Sequence, residues 1–399
     1  MPTLLQAHWI LPTPGQAFEG GGILVEGGRV AAWAETPGAV RELASRAGVE
    51  HVDLGPVALS PGLVNAHAHL ELSGLAGRLG AGGGFIPWVG GVLRERAGLS
   101  GEDYREAVRA GARALLESGT TAVGDVDSSG AAELVLAAGP LRARVYREVL
   151  DGGDVARTPD QLRRLDAEAV EGALLGLSPH APHTVGPELL AACAQRSGAR
   201  GLPLSVHWAE TPEECSWLAG EGGPFADLLG TAPGCSGLDL LQRAGALGPR
   251  TSLVHANHPE PGELELVARS GAVLVHCPGT HDYFGRERWP VEAWIASGVT
   301  VALGTDSLAS NDTLDMRREM ALLRRTHRDL APELVLEWAT RGGARALDLA
   351  REIGELGIGM RADLVAFELP GPEALAAPVD WVTGAEPAVG GVWVEGCAI

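Results

Sequence analysis

The chain has 399 residues and a hydrophobic content of 45%, enough for a large core and too long for one ordinary small domain. Its net charge is −20, from 51 acidic against 31 basic residues with no basic run, so nucleic acid and anionic membrane surfaces are not expected as partners. All 31 basic residues are Arg, which removes Schiff-base lysines, a phosphate-loop lysine and any carboxylated lysine bridging two metals.

From the N-terminus, residues 1–55 read as β-structure. "GGILVEGGRVAAWAE" is two short β-rich runs broken by Gly-Gly, a hairpin signal. The opening "MPTLLQAHWILPTPG" lacks a basic region followed by a sustained apolar stretch, so no signal peptide is expected. No apolar segment reaches membrane-spanning length. The five Cys, at 193, 215, 235, 277 and 397, are odd in number and scattered. They suit neither a disulfide framework nor a Cys-based zinc site, and a cytoplasmic location is the expectation.

The middle of the chain alternates short apolar strands with helical stretches. The strands are "LVNAHAHL", "TTAVGDVD", "ARVYREVL", "ALLGLSPH", "LPLSVHWAE", "TSLVHANH", "AVLVHCP" and "TVALGTD". A helix is predicted over 102–119 before the second strand and over 313–327 after the last. Apolar strands joined by helices indicate a parallel sheet. Eight units across about 300 residues predict an α/β fold, a (β/α)8 barrel. An open doubly wound sheet is disfavoured because no Gly-x-Gly-x-x-Gly follows the first strand. The C-terminal "MRADLVAFEL" and "GGVWVEGCAI" return to short Val-rich strands. The expected organisation is a β-sandwich from residues 1–55 plus 355–399 and a barrel over 56–354.

Five of the eight strands end in a His or Asp set in an apolar run: His67 and His69, His180, His207, His255 and Asp306. Strand alternation puts His67 and His69 on one face. The C-terminal ends of barrel strands converge on one face, where barrel enzymes place their chemistry. Burying several imidazoles and a carboxylate there is costly unless they are paired or bound to a cation. A metal constellation of His67, His69, His207 and Asp306 resolves that cost and suits one Zn2+ or Fe2+.

His-x-His on the first strand, "VHWAE" on the fifth, "VHANH" on the sixth and "LGTDSLASN" on the eighth resemble the amidohydrolase superfamily of metal-dependent barrel hydrolases. The tail "ATRGGARALDL" followed by "GIGMRADLVAF" resembles that family's return to its β-sandwich. The His-x-x-Glu form of the fifth-strand motif is like that of nucleobase and nucleoside deaminases. "GLVNAHAHLELS" and "GTDSLASNDTL" look most like the aminodeoxyfutalosine deaminases of menaquinone biosynthesis.

The resemblance implies a hydrolase acting on a small nucleoside-like substrate. His67, His69, His207 and Asp306 hold one metal, and a metal-activated hydroxide attacks the amino-bearing ring carbon and releases ammonia. It implies that Asp306 accepts the water proton, His255 steadies the tetrahedral centre, and Glu210 protonates the ring nitrogen. For Glu210 the bland alternative is a solvated loop carboxylate, since "HWAETPEE" carries three Glu in five residues. Alternatives within the superfamily are deamination of S-adenosylhomocysteine, methylthioadenosine or guanine, or a triazine-chlorohydrolase-like reaction. A non-catalytic scaffold predicts loss of a catalytic position, and Glu210, His255 and Asp306 are all present. A homodimer is compatible with the chain.

Candidate substrate contacts follow. By motif position His180, in "SPHAPH", hydrogen-bonds the purine, with His183 as a second candidate. Phe85 and Trp88, beyond a Gly-rich hinge, either stack on the base or ribose or anchor the following helix. Arg147, Arg286 and Arg288 are candidates to meet a substrate carboxylate. Many relatives read "HCPRSN" after the seventh strand, where this chain reads "HCPGTHDYFG"; His281 in that loop is a further candidate.

Overall fold

In the computed structural model, which describes all 399 residues, the eight apolar runs form eight parallel strands in sequential order. They are β1 (Leu63–Ala68), β2 (Thr120–Asp127), β3 (Arg142–Val149), β4 (Leu174–Pro179), β5 (Leu204–Trp208), β6 (Thr251–His255), β7 (Val273–His276) and β8 (Thr300–Leu303). β1, β2, β5, β6 and β7 are buried at every position, as strands covered on both faces must be. A parallel bridge between Ala68 and Asp306 joins the ends of β1 and β8, so the sheet is a nearly closed barrel.

Helices cover the outside. α1 (Phe85–Arg96) and α2 (Gly101–Glu117) lie between β1 and β2. α2 starts at a capping box in which Ser100 and Asp103 satisfy each other's backbone groups. It buries Ala107, Val108, Gly111 and Leu115, a helical spacing that forms one apolar face. After β8, α3 (Met316–Thr326) starts three residues later than the predicted 313. Asp315 is its N-cap, accepting from the Arg317 N–H.

The terminal strands form two separate sheets. One pairs Thr3–Gln6 with Gly22–Glu26 and Glu50–Asp53. The other brings Trp9–Thr13 and Val57–Pro61 against Leu364–Glu368 and Val389–Val394, so both ends of the chain build it. Val57–Pro61 therefore lies in the terminal sheet although the 55/56 division assigns it to the barrel. The chain enters the barrel at Gly62, where a Cβ would stand 2.0 Å from Thr121 Oγ1. No helix is long and apolar enough to cross a membrane.

Candidate active site and metal centre

The β1, β5 and β8 ends bring His67, His69, His207 and Asp306 together. His67 and His69 have ring centroids 4.9 Å apart, and His67 and His207 are also 4.9 Å apart. His69 Nε2 faces His207 Nε2 at 3.3 Å. Asp306 Oδ1 lies 3.6 Å from His67 Nε2 and 3.7 Å from His69 Nε2. His67 is fully buried, and neither ring nitrogen has a hydrogen-bond partner. Burial lowers the pKa of His67 and pushes that of His69 well below the usual value, so both present neutral lone pairs. His207 Nδ1 lies 2.9 Å from the His180 carbonyl, which can only accept, so Nδ1 carries the proton and Nε2 is bare. Orphaned, desolvated imidazoles converging on a carboxylate are a donor set that fits a divalent metal.

The backbone is bent to make this set. Asp306 has φ +57°, His255 φ +73° and Ala209 φ +49°, a region non-glycine residues rarely adopt. Such residues cost roughly 1–3 kcal/mol each and persist where surrounding contacts enforce them. At Asp306 the contacts are visible. Its N–H donates to the His67 carbonyl (3.0 Å), and its Oδ2 accepts from Ser310 Oγ (3.0 Å). Asn65 braces the same junction through Thr305 Oγ1 and the Thr305 N–H. A Cβ on Gly304 would approach the His67 carbonyl oxygen to 2.9 Å, so close packing of β1 on β8 needs glycine there.

Glu210 and His255 lie beside this cluster. Glu210 Oε2 is 3.8 Å from His255 Nε2, and Oε1 pairs with Arg286 Nη2 at 2.7 Å. Burial pushes His255 well below its usual pKa, leaving a neutral ring. The Glu residues of "HWAETPEE" separate by role. Glu210 points at His255, while Glu214 accepts the backbone N–H groups of Ala209 and Glu210, both at 3.0 Å. Glu214 thus holds the loop that carries Glu210, and Asn257 Nδ2 donates to the Glu210 carbonyl from the other side.

The other candidates divide. His180 lies beside His207, with ring centroids 4.8 Å apart and the rings tilted by 36°. Its Nδ1 faces Thr184 Oγ1 at 2.7 Å, which leaves Nε2 for another partner. His183 lies one step out, beside Phe225 and 3.7 Å from Glu214, and lines a lateral cleft of about 840 Å3. Phe85 and Trp88 on α1 meet Phe284 of the β7 loop at 5.7 and 5.3 Å. Trp88 Nε1 also donates to the Ala309 carbonyl (2.9 Å), so the two aromatics clasp loops from β1, β7 and β8. His281 has both ring nitrogens engaged, at Asn257 Oδ1 and the Glu287 carbonyl, so it braces its loop.

Arg147 does not face the site. Its guanidinium pairs with Glu133 and donates to the carbonyls of Ala167 and Glu168, among the helices outside β3. The period-two pleat explains this: Val145 and Arg147 point outward, and Glu148 points in. Glu148 was missed by sequence reasoning, although the alternation places it. It is buried, its Oε1 has no partner, and burial raises its pKa. One potential ligand atom from each of Glu148, His180 and His207 lies within 4.8 Å of the other two. That second grouping shares His207, whose single bare nitrogen serves one ion at a time. Arg147→Met is expected to cost about 3–5 kcal/mol of stability, because Glu133 is left buried and unpaired. KM should not move; chemical denaturation alongside steady-state kinetics checks both. Arg288 pairs with Glu292 on the exposed face of its loop.

Residues 58–397 match the model described as "Amidohydrolase family". The chain is 32% identical over 395 residues to a 5-methylthioadenosine/S-adenosylhomocysteine deaminase of Nitratidesulfovibrio vulgaris, covering 93% of this chain and 84% of that one. It is 34% identical over 360 residues to an aminodeoxyfutalosine deaminase of Deinococcus radiodurans, covering 84% and 82%. Among solved structures, Helicobacter pylori aminofutalosine deaminase in complex with methylthio-coformycin superposes with a TM-score of 0.88 over 100% of both chains, at 21% identity.

Proposed function

The chain belongs to the amidohydrolase family, and from that premise we propose that it hydrolytically deaminates the adenine ring of a 5′-substituted nucleoside, aminodeoxyfutalosine first, in menaquinone biosynthesis. The observation that carries the reading is the placement of Glu210 and His255 beside four metal-ligand candidates on one barrel face. Water adds its oxygen to the amino-bearing carbon, the carbon–nitrogen bond breaks, and one water proton joins the amino group that leaves as ammonia, while the other replaces the proton that Glu210 gives to the ring nitrogen. A divalent metal held by His67, His69, His207 and Asp306, Zn2+ or Fe2+, supplies the charge that brings the pKa of water toward neutrality.

The chain's own residues carry the protons. Asp306 accepts the water proton, and Ser310 Oγ orients its carboxylate by donating to Oδ2. Glu210 delivers a proton to the ring nitrogen, so the carbon beside it becomes electrophilic as the oxygen arrives. His255, held neutral, hydrogen-bonds the attacking oxygen and steadies the tetrahedral centre. His180 Nε2, with Nδ1 anchored at Thr184, serves the purine edge. The clasp of Phe85, Trp88 and Phe284 joins the loops after β1 and β7 and packs against Arg286, the partner of Glu210.

A second reading, methylthioadenosine or S-adenosylhomocysteine as substrate, has its own support in the relative aligned over 93% of this chain. Ammonia release from a panel of aminodeoxyfutalosine, methylthioadenosine, S-adenosylhomocysteine, guanine and a chloro-triazine decides between them. The highest kcat/KM is expected on aminodeoxyfutalosine. Turnover of the triazine with none of any 6-aminopurine overturns the deaminase reading.

A further inference from the structure

The two oxygens of Glu210 have different neighbours. Oε2 faces His255 on the side of the metal ligands, and Oε1 is held by Arg286 Nη2 at 2.7 Å. A ring nitrogen presented to this carboxylate has two neighbouring ring carbons. The reacting carbon must lie toward His255, so the other lies toward Arg286. Arg286 also has a second nitrogen, Nη1, that is buried and has no partner in the protein. A buried donor without an acceptor is costly, and substrate is the group that arrives to fill it. The guanidinium is fixed in place: its central carbon lies 4.8 Å from the Phe284 ring, which packs against Phe85 and Trp88.

We propose that Arg286 is a specificity-determining residue, which positions Glu210 through Nη2 and reads the far edge of the ring through Nη1. The proposal rests on the deaminase reading above. A guanidinium carries donors only. It therefore accepts a ring edge that offers hydrogen and an acceptor nitrogen, and it rejects an amino group on the carbon across the protonated nitrogen, where donors would oppose donors. On an adenine ring that carbon is position 2. Arg286 is thus withdrawn from the set of residues free to take a substrate carboxylate, because one of its nitrogens is committed to Glu210.

The test compares the 6-aminopurine nucleoside that the metal-loaded wild type turns over fastest with its 2-amino analogue, in wild type, Arg286→Met and Arg286→Lys. Wild type should favour the parent compound by about tenfold or more in kcat/KM. Arg286→Met should narrow that preference to about threefold or less and lower kcat on the parent by about tenfold or more. Arg286→Lys, still a donor, should keep the preference at a reduced rate. An unchanged ratio in Arg286→Met overturns the proposal. Crystal structures of metal-loaded wild type and Arg286→Met give a readout independent of turnover. Glu210 should leave its place beside His255 in the variant, and an unmoved carboxylate also overturns the proposal. If wild type deaminates no aminopurine, the functional reading fails, and the Glu210 position still decides the role of Arg286.

Discussion

Glu210→Gln is expected to lower kcat by about 10²–10⁴-fold while metal content stays at the wild-type level. Gln has the shape of Glu and keeps an oxygen to accept from Arg286, so the ion pair becomes a hydrogen bond and the loop stays where Glu214 and Asn257 hold it. What Gln lacks is a transferable proton. Without protonation of the ring nitrogen, the attacked carbon is a poor electrophile, and negative charge builds on the ring in the transition state. Elemental analysis and steady-state ammonia release on the same preparation separate this from metal loss. An undiminished rate removes Glu210 from the mechanism and leaves proton delivery to another group.

Stripping the metal with a chelator should abolish turnover and lower thermal stability together, and re-adding Zn2+ or Fe2+ should restore both. If free metal stands a hundredfold above its dissociation constant, the loss of binding free energy is about 2.7 kcal/mol. His67 is where the structural part of that loss originates, because its two nitrogens are buried without partners. One metal per chain is expected, since His207 has a single bare nitrogen for the two overlapping ligand groups. His67→Ala should bind metal weakly and lose turnover. Two metals per chain, or activity indifferent to chelation, would falsify the one-metal site.

The Glu71 of "HLELS" shows how a motif becomes intelligible only in three dimensions. It is buried, accepts the Ser129 N–H (2.6 Å) and pairs with Arg96 at 3.1 Å. Glu71 therefore ties the β1 loop to the β2 loop and to the end of α1, the helix that carries Phe85 and Trp88. Burial pushes its pKa up to about 7, against the pull of Arg96.

The barrel was legible in the chain because short apolar runs alternate with helical stretches, the pattern of strands buried on both faces, and the terminal β-rich segments had no barrel helix to pair with. The convergence of the ligand candidates was legible because a His or Asp ending such a run is anomalous in an apolar setting, and parallel strands must converge at their C-terminal ends. Position within a strand was misread for Arg147, which was expected at the site: the pleat puts Arg147 and Glu148 on opposite faces, and barrel closure decides that Glu148 is the inward one. Loop residues have no such period. Which Glu of "HWAETPEE" faces the pocket, and that Arg286 reaches Glu210 from 76 positions away, follow from where loops of β5 and β7 pack against each other. Strand direction and periodicity are local properties of the chain, whereas the pairing of side chains on separate loops is a property of closure, which only the tertiary structure decides.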